Sequence, residues 1–405
     1  MIYDILRPTV RFATKLYFGK IFVSGVENLP KDKPIILASN HPTAFIEPCM
    51  LACYLPVRLH FLVRGDLFSK SWLSWLLKGT NQIPIFRQKD GLGNVKKNLI
   101  TQSLILELFQ ENNALLMFPE AHTHENLFLR PLKKGISRFA FMHPNSNVQV
   151  VPIGVNFDRH VKFGSKVSIV IGKPIDIDSL ENQTWETEAK KHKYFLDLLS
   201  QRMQKCLRHI NHEEVEENLH KAYRIIDGQK RFSLLPVVEK RKDIFEEEQN
   251  FANLIDQSDE SSRLLNDTIN ELSHQRLKKP SILDLLGMVI FIPIFLISLL
   301  FHFIPTQISR YIVKKKITMH EFVMPVFLAI MIFEYLFLIP VTFIVTIIIG
   351  GIAWYVFLAF VISGLFGLFY LKAFQDKWQY LFLNSHQKKE LQYTVSNFNT
   401  NFPTI

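Results

Sequence analysis

A chain of 405 residues, 48% of them hydrophobic and 13% aromatic, carries enough apolar side chain for a sizeable core and for more than one structural region. Lys and Arg total 47 against 37 Asp and Glu, a formal net charge of +10 that calls for an anionic partner, and the hydrophobic C-terminal part selects lipid over nucleic acid. Three cysteines, Cys49, Cys53 and Cys206, give neither a disulfide framework nor a zinc cluster and fit reduced thiols facing a cytosolic compartment.

Residues 1–20 lack the apolar core of a secretory signal and read instead as an amphipathic helix. Arg7, Arg11 and Lys15 recur every fourth position, with Ile5, Leu6, Val10, Ala13, Leu16 and Tyr17 supplying apolar faces. The pattern suits a helix in the lipid headgroup layer and equally one packed on the domain with a solvated basic stripe. Pro8 fits only a first helical turn.

From residue 35 to about 175, apolar runs alternate with stretches of helical length. Strands are expected at Ile35 to Ser39, His60 to Val63, Gln82 to Phe86, Ala114 to Phe118, Val148 to Phe157 and Lys166 to Ile171. Helices are expected at Pro48 to Leu55, Lys70 to Leu77, Asn94 to Phe109 and Lys134 to His143. This alternation predicts an α/β domain over 21–210, a mixed sheet flanked by helices, with functional residues at strand ends.

One such strand end is Ser39-Asn40-His41-Pro42-Thr43-Ala44-Phe45-Ile46-Glu47-Pro48, which sets a histidine and a carboxylate close together after a buried run. An imidazole oriented by a carboxylate is the material of a general base. A second apolar run, Leu115-Leu116-Met117-Phe118-Pro119-Glu120, also ends in a proline and an acid, and Leu129-Arg130-Pro131-Leu132-Lys133-Lys134-Gly135 follows it.

Taken with Gly79-Thr80-Asn81-Gln82-Ile83-Pro84-Ile85-Phe86-Arg87 and Val151-Pro152-Ile153-Gly154, these make four ordered blocks spaced by roughly 30 residues. Their order resembles the glycerolipid acyltransferase family, whose members include lysophosphatidic-acid and glycerol-phosphate acyltransferases. The resemblance covers about residues 20 to 210. It implies a membrane-bound enzyme that moves a fatty acyl chain from acyl-CoA or acyl-ACP to a glycerol-phosphate lipid acceptor in phospholipid biosynthesis, with no cofactor beyond the thioester donor. His41 and Glu47 would be catalytic. Arg87, a guanidinium fit to grip phosphate, would bind substrate together with Glu120, Arg130, Lys133 and, in the fourth block, Pro152.

Two residues depart from the family pattern. The first block usually holds His and Asp with four residues between them, whereas five intervene here and the acid is Glu47. Ala121 stands where glycine commonly follows the block-three glutamate, so the turn there is expected to tolerate a Cβ. These departures keep two other readings in view: an enzyme of the same fold acting on an aminolipid acceptor, and a lipid-binding or scaffold protein that retains the fold without turnover.

Other motifs carry less. His122 and His124 straddle Thr123, but two histidines in a loop are not a coordination sphere, so no metal site is expected. Basic residues are not interleaved with aromatics on one face, as a nucleic-acid surface requires.

Residues 211–280 are charged and helix-favouring and read as a connector with solvated faces, partly packed on the catalytic domain. Membrane segments are expected over 281–372, followed by a tail over 373–405. The run 282–304 is long enough to cross a bilayer, and 322–371 is about twice that length and is expected to fold back near Gly350-Gly351. Because Arg276, Lys278 and Lys279 precede the first run and Arg310 and Lys314 to Lys316 follow it, that segment is expected to be re-entrant or in-plane, bent near Pro293 and Pro305. The second would be a two-span hairpin, and the catalytic domain would lie on the cytoplasmic face.

Overall fold

The computed structural model describes residues 2–86, 98–124, 126–142, 147–158, 163–229, 237–240, 243–269 and 279–402. Its centre is a mixed sheet of nine strands: β1 (Lys20–Ser24), β2 (Ile35–Ser39), β3 (Leu59–Arg64), β4 (Gln82–Ile85), β5 (Ala114–Met117), β6 (Gln149–Phe157), β7 (Lys166–Ile171), β8 (Ile175–Asp176) and β9 (Val237–Glu239). The order is β4-β3-β5-β2-β6-β7-β1-β9, with β8 pairing β6. All neighbours on that path are parallel except β6 and β7, which run antiparallel.

Six of these strands fall where hydropathy places them, while β1, β8 and β9 lie outside the expected set. β1 is buried throughout, and its short apolar run Ile21-Phe22-Val23 directly follows a helix, where periodicity alone cannot separate strand from helix.

The helices flanking the sheet are α1 (Ile2–Tyr17), α2 (Ile46–Tyr54), α3 (Ser71–Gly79), α4 (Asn98–Gln110), α5 (Gly135–Ala140), α6 (Ile177–Glu181) and α7 (Glu188–Gln204). Successive strand residues point to opposite faces. Ile35 and Leu37 therefore join Met50 and Leu51 of α2 and Tyr3 and Tyr17 of α1 in one core, while Ile36 and Ala38 join Ile105 of α4, Ile136 of α5 and Phe195 of α7 in another. The result is a helix–sheet–helix sandwich.

α1 packs on α2 through its basic stripe. Arg7 donates to the Leu55 carbonyl at 2.8 Å, just past the C-terminus of α2, and Arg11 lies over the Tyr54 ring. Both placements put positive charge by the negative end of a helix. Ile5 and Phe12 are left exposed, so the outward face of α1 is more apolar than the basic stripe alone suggests. Pro8 lies inside the helix rather than in its first turn, at the cost of one helical hydrogen bond.

Beyond the sandwich come α8 (Glu216–Gln229), α9 (Asp243–Asp256) and α10 (Asp259–Ile269), which with α14 (Ser385–Asn401) share a separate apolar core built on Leu219, Phe251, Leu265 and Phe398. This bundle is fastened to the sheet by charge. Glu248 of α9 pairs with Lys166 of β7 and lies 3.5 Å from Arg208, all three side chains being buried. The connector is thus more deeply integrated than its charged composition suggests.

Among the described residues, three helices are long and apolar enough to cross a membrane: α11 (Ile282–Lys316), α12 (His320–Ile349) and α13 (Ala353–Phe382). α11 is one continuous helical element with Pro293 and Pro305 inside it. Asp284 at its start meets Lys377 of α13 at 2.5 Å, and the C-terminal half of α13 is tied to the catalytic domain by Lys372, which donates to the carbonyls of Lys15 and Phe18. Just past the other end of α11, Met324 and Leu328 of α12 lie in the core with α1 and α2. Both ends of α11 therefore adjoin elements anchored on the catalytic domain. Midway, His302 bridges the Tyr335 hydroxyl (2.6 Å) and the Phe360 carbonyl (2.9 Å), and Ser309 donates to Glu334, so the acid of α12 faces protein.

Candidate active site

In a parallel sheet the C-terminal ends of neighbouring strands share one edge, and loops leaving them converge. β2, β5 and β6 are such neighbours, and the first and third sequence blocks leave from β2 and β5. At the end of β2, Asn40 donates to the Val155 carbonyl (3.0 Å) and accepts from the Val155 N–H (2.8 Å), clamping the loop to β6 just before His41.

The five residues between His41 and Glu47 make a tight turn. The Thr43 carbonyl accepts from the N–H groups of Phe45 and Ile46, and Ala44 sits in the left-handed region at φ 52°. The chain then enters α2, whose first turn holds Glu47 and tolerates Pro48. Glu47 is fully buried and reaches back so that one carboxylate oxygen meets His41 Nδ1 and the other accepts from the Thr43 hydroxyl. The added methylene of glutamate is thereby accommodated, with both oxygens engaged.

His41 keeps 17% of its side chain exposed. Its ring stacks on Phe118, centroids 4.0 Å apart and planes within 10°, so the block-three strand end supports the imidazole from one side. With Nδ1 held by a carboxylate, a neutral ring carries its proton on Nδ1 and presents the Nε2 lone pair. Cys49, the nearest thiol in sequence, lies within α2 with its ionisation pushed up to about 12, burial being the main cause, which makes it a poor nucleophile.

The third block is closely coupled to the first. His124 N–H donates to the His41 carbonyl at 3.0 Å, and its ring meets Glu120. The same Glu120 oxygen accepts from the Arg130 N–H at 2.9 Å, and the Pro119 carbonyl accepts from the Lys133 N–H at 2.8 Å. Glu120 thus closes the loop that presents Arg130 and Lys133, whose side chains are exposed. Its other oxygen is buried without a hydrogen-bond partner among the described residues. Ala121 adopts φ 63°, the left-handed conformation a glycine would take, and not a turn that favours a Cβ.

Pro152 is buried in β6 opposite Ala38, its carbonyl accepting from the Gly172 N–H, so its visible part in the site is packing of the sheet beneath it. Gly154 of the same block lets the chain pass close, since a Cβ there would lie 1.8 Å from the Cys206 carbonyl oxygen. Arg87 lies outside the described residues. Among the described residues no three His, Cys, Asp or Glu side chains gather as a metal site requires. Thr43, Phe118 and His124 were not singled out from sequence as parts of this assembly; the i to i+4 spacing of Thr43 and Glu47 at a helix start is the one local signal that could have found the first.

The sequence profile of the Acyltransferase family matches residues 20–156, spanning all four blocks. This region is an Acyltransferase-family domain. The chain is 25% identical over 159 residues to a 1-acyl-sn-glycerol-3-phosphate acyltransferase of Bacillus subtilis, covering 39% of this chain and 74% of that one. It is 33% identical over 107 residues to glycerol-3-phosphate O-acyltransferase 1 of Saccharomyces cerevisiae, covering 25% of this chain and 14% of the yeast protein. Among solved structures, the 1-acyl-sn-glycerophosphate acyltransferase PlsC of Thermotoga maritima matches with a TM-score of 0.37 and 18% identity, over 50% of this chain and 79% of that one.

Proposed function

We propose that this acyltransferase moves a fatty acyl group from an acyl thioester, acyl-CoA or acyl-ACP, to a hydroxyl of glycerol 3-phosphate or its 1-acyl derivative at a membrane surface. The observation that carries the reading is the engagement of His41 Nδ1 by buried Glu47, which leaves Nε2 for an incoming alcohol.

An alcohol is a weak nucleophile near neutral pH, and an oriented imidazole supplies the missing base. Nε2 takes the hydroxyl proton as the oxygen attacks the thioester carbonyl carbon, and Glu47 stabilises the imidazolium that forms. Collapse of the tetrahedral adduct breaks the carbon–sulfur bond, and the departing thiolate takes the proton back from Nε2. The products are an ester and a free thiol, so the cycle closes without an acyl-enzyme, a metal or a resident cofactor.

Arg130 and Lys133, exposed on the loop that Glu120 closes, are the described cations suited to the acceptor's phosphate. Arg87 joins them on the strength of the family pattern. The membrane reading is supported by three apolar helices, by exposed Trp72 and Trp75 on α3, and by the exposed Ile5 and Phe12 of α1. Asp284 at the start of α11 pairs with Lys377 of α13, whose Lys372 bonds the catalytic domain, and Met324 and Leu328 beyond its other end lie in that domain's core; with basic residues on both sides of the segment in the sequence, this supports a cytoplasmic side for the catalytic domain.

The test supplies full-length protein in lipid–detergent micelles with radiolabelled acyl thioester and a panel of acceptors. Labelled ester with glycerol 3-phosphate or lysophosphatidate, and little with phosphate-free glycerol or an aminolipid, is the expected outcome. Equal transfer to acceptors lacking phosphate would overturn the assignment of substrate.

A further inference from the structure

The helical bundle that follows the catalytic sandwich also holds the block-three loop. At the start of α8, Glu216 Oε1 accepts from the Leu127 N–H at 2.8 Å, and Oε2 accepts from the Asn126 side-chain amide at 3.2 Å. Two residues on, the Leu129 N–H donates to His209 Nδ1 at 3.1 Å. The Leu127 side chain packs against the apolar core that α8, α9, α10 and α14 share.

Loop amides in an unpaired segment would normally be left to water. Here two backbone N–H groups separated by one residue are taken by two side chains far along the chain, Glu216 at the start of α8 and His209 in the segment that leads into it, and the acceptor on the first is a carboxylate. On its inner side the same loop is tied to Glu120 through the Arg130 N–H and to Pro119 through the Lys133 N–H. Arg130 therefore sits one residue beyond an outer anchor and on an inner one. Both anchors lie close in sequence to the basic side chains, so loss of either frees them to move.

We infer that Glu216, assisted by His209, is a positioning residue for the acceptor: it fixes loop 126–133 so that Arg130 and Lys133 meet the phosphate in a constant place. Neither residue lies in the region matched by the family profile, which ends at residue 156. The role rests on the glycerol-phosphate reading above and adds to it that the bundle which includes α14, the helix after the last apolar span, sets affinity for the acceptor. A fixed guanidinium gains more from a phosphate than a mobile one because ordering it costs less on binding. The effect should appear in acceptor binding and leave the chemistry at His41 in place.

The experiment compares full-length wild type, Glu216→Ala and Glu216→Gln in lipid–detergent micelles, measuring kcat and KM separately for acceptor and for acyl thioester, with hydrogen exchange at the Leu127 and Leu129 amides on the same preparations. Glu216→Ala is expected to raise acceptor KM about ten-fold, the scale of a lost hydrogen bond to a charged group, with kcat and thioester KM within about two-fold. Exchange at Leu127 should quicken. Glu216→Gln keeps one acceptor oxygen for Leu127 and should recover part of the loss. Faster exchange with unchanged acceptor KM would overturn the positioning role while the acyl-transfer reading stands. A uniform fall of kcat with every substrate would mark a general folding defect and overturn it equally. Wild type that transfers acyl groups to no phosphate-bearing acceptor would instead remove the reading on which the role rests.

Discussion

The imidazole of His41 lies flat on the ring of Phe118, 4.0 Å between centroids and 10° between planes, so a residue of the third sequence block forms one wall of the first. The stack restricts ring rotation that the bond to Glu47 alone would permit. Phe118→Leu keeps an apolar contact but removes the flat surface. It is expected to lower kcat several-fold while leaving the protein folded, because aromatic pairs contribute about 0.5–1.5 kcal/mol beyond burial. Steady-state kinetics with the preferred acceptor check this; an unchanged kcat would mean that Glu47 orients the ring unaided.

Thr43 occupies the second oxygen of Glu47. Replacement by valine preserves shape and removes the donor, leaving a buried carboxylate oxygen short of a hydrogen bond worth about 1.5–3 kcal/mol. Thr43→Val is expected to reduce kcat about ten-fold, with Thr43→Ser recovering much of it. The serine rescue separates loss of the hydroxyl from a general packing change.

Ala121 holds φ 63°. An L-residue with a Cβ pays about 1 kcal/mol or more for that conformation, and glycine does not. Ala121→Gly is expected to raise the thermal unfolding midpoint in detergent, an outcome unusual for glycine. A lower midpoint would show that neighbouring contacts to the Cβ outweigh the backbone strain.

His209 gives a pH signature. Burial is the main influence and holds its ionisation below the ordinary value of an imidazole, with Asn211 pulling the other way. Its Nδ1 must be unprotonated to accept from Leu129. The folded state therefore favours neutral His209 more than the unfolded chain does, so its contribution is complete above the unfolded value of about 6.5 and is lost as pH falls through the lowered folded value. His60, lowered chiefly by burial, acts in the same direction. Stability should fall from pH 7 toward pH 5, and His209→Asn, which offers an amide oxygen near the place of Nδ1 and does not titrate, should flatten part of that slope.

Much of this architecture was legible in the chain itself. The alternation of apolar runs located β2 to β7 because each is bounded by polar or turn residues, and the ordered blocks located both strand ends that meet at His41. β1 escaped because its apolar run Ile21-Phe22-Val23 is too short for periodicity to separate strand from helix, even though Gly19 marks the break from α1. The coupling of loop 126–133 to Glu216 escaped for a different reason. Hydrogen bonds to backbone amides depend on position and not on the identity of the residue that donates, so Leu127 and Leu129 carry no mark of the contact. Glu248 misled in a similar way, since an acidic residue in a charged helix reads as solvated until Lys166 and Arg208 are brought to it by the fold. Thr43 was visible as a residue, and its bond to Glu47 depended on the turn at Ala44, which a non-glycine residue does not announce.

Replacement of His41 by alanine tests the central proposal most directly. Full-length wild type and His41→Ala are assayed side by side for transfer of a radiolabelled acyl group from its thioester to glycerol 3-phosphate or lysophosphatidate, after circular dichroism establishes that both are folded. Loss of one oriented base should lower turnover by at least about 100-fold. Turnover by the folded alanine variant at the wild-type rate would contradict the assignment of His41 as the base.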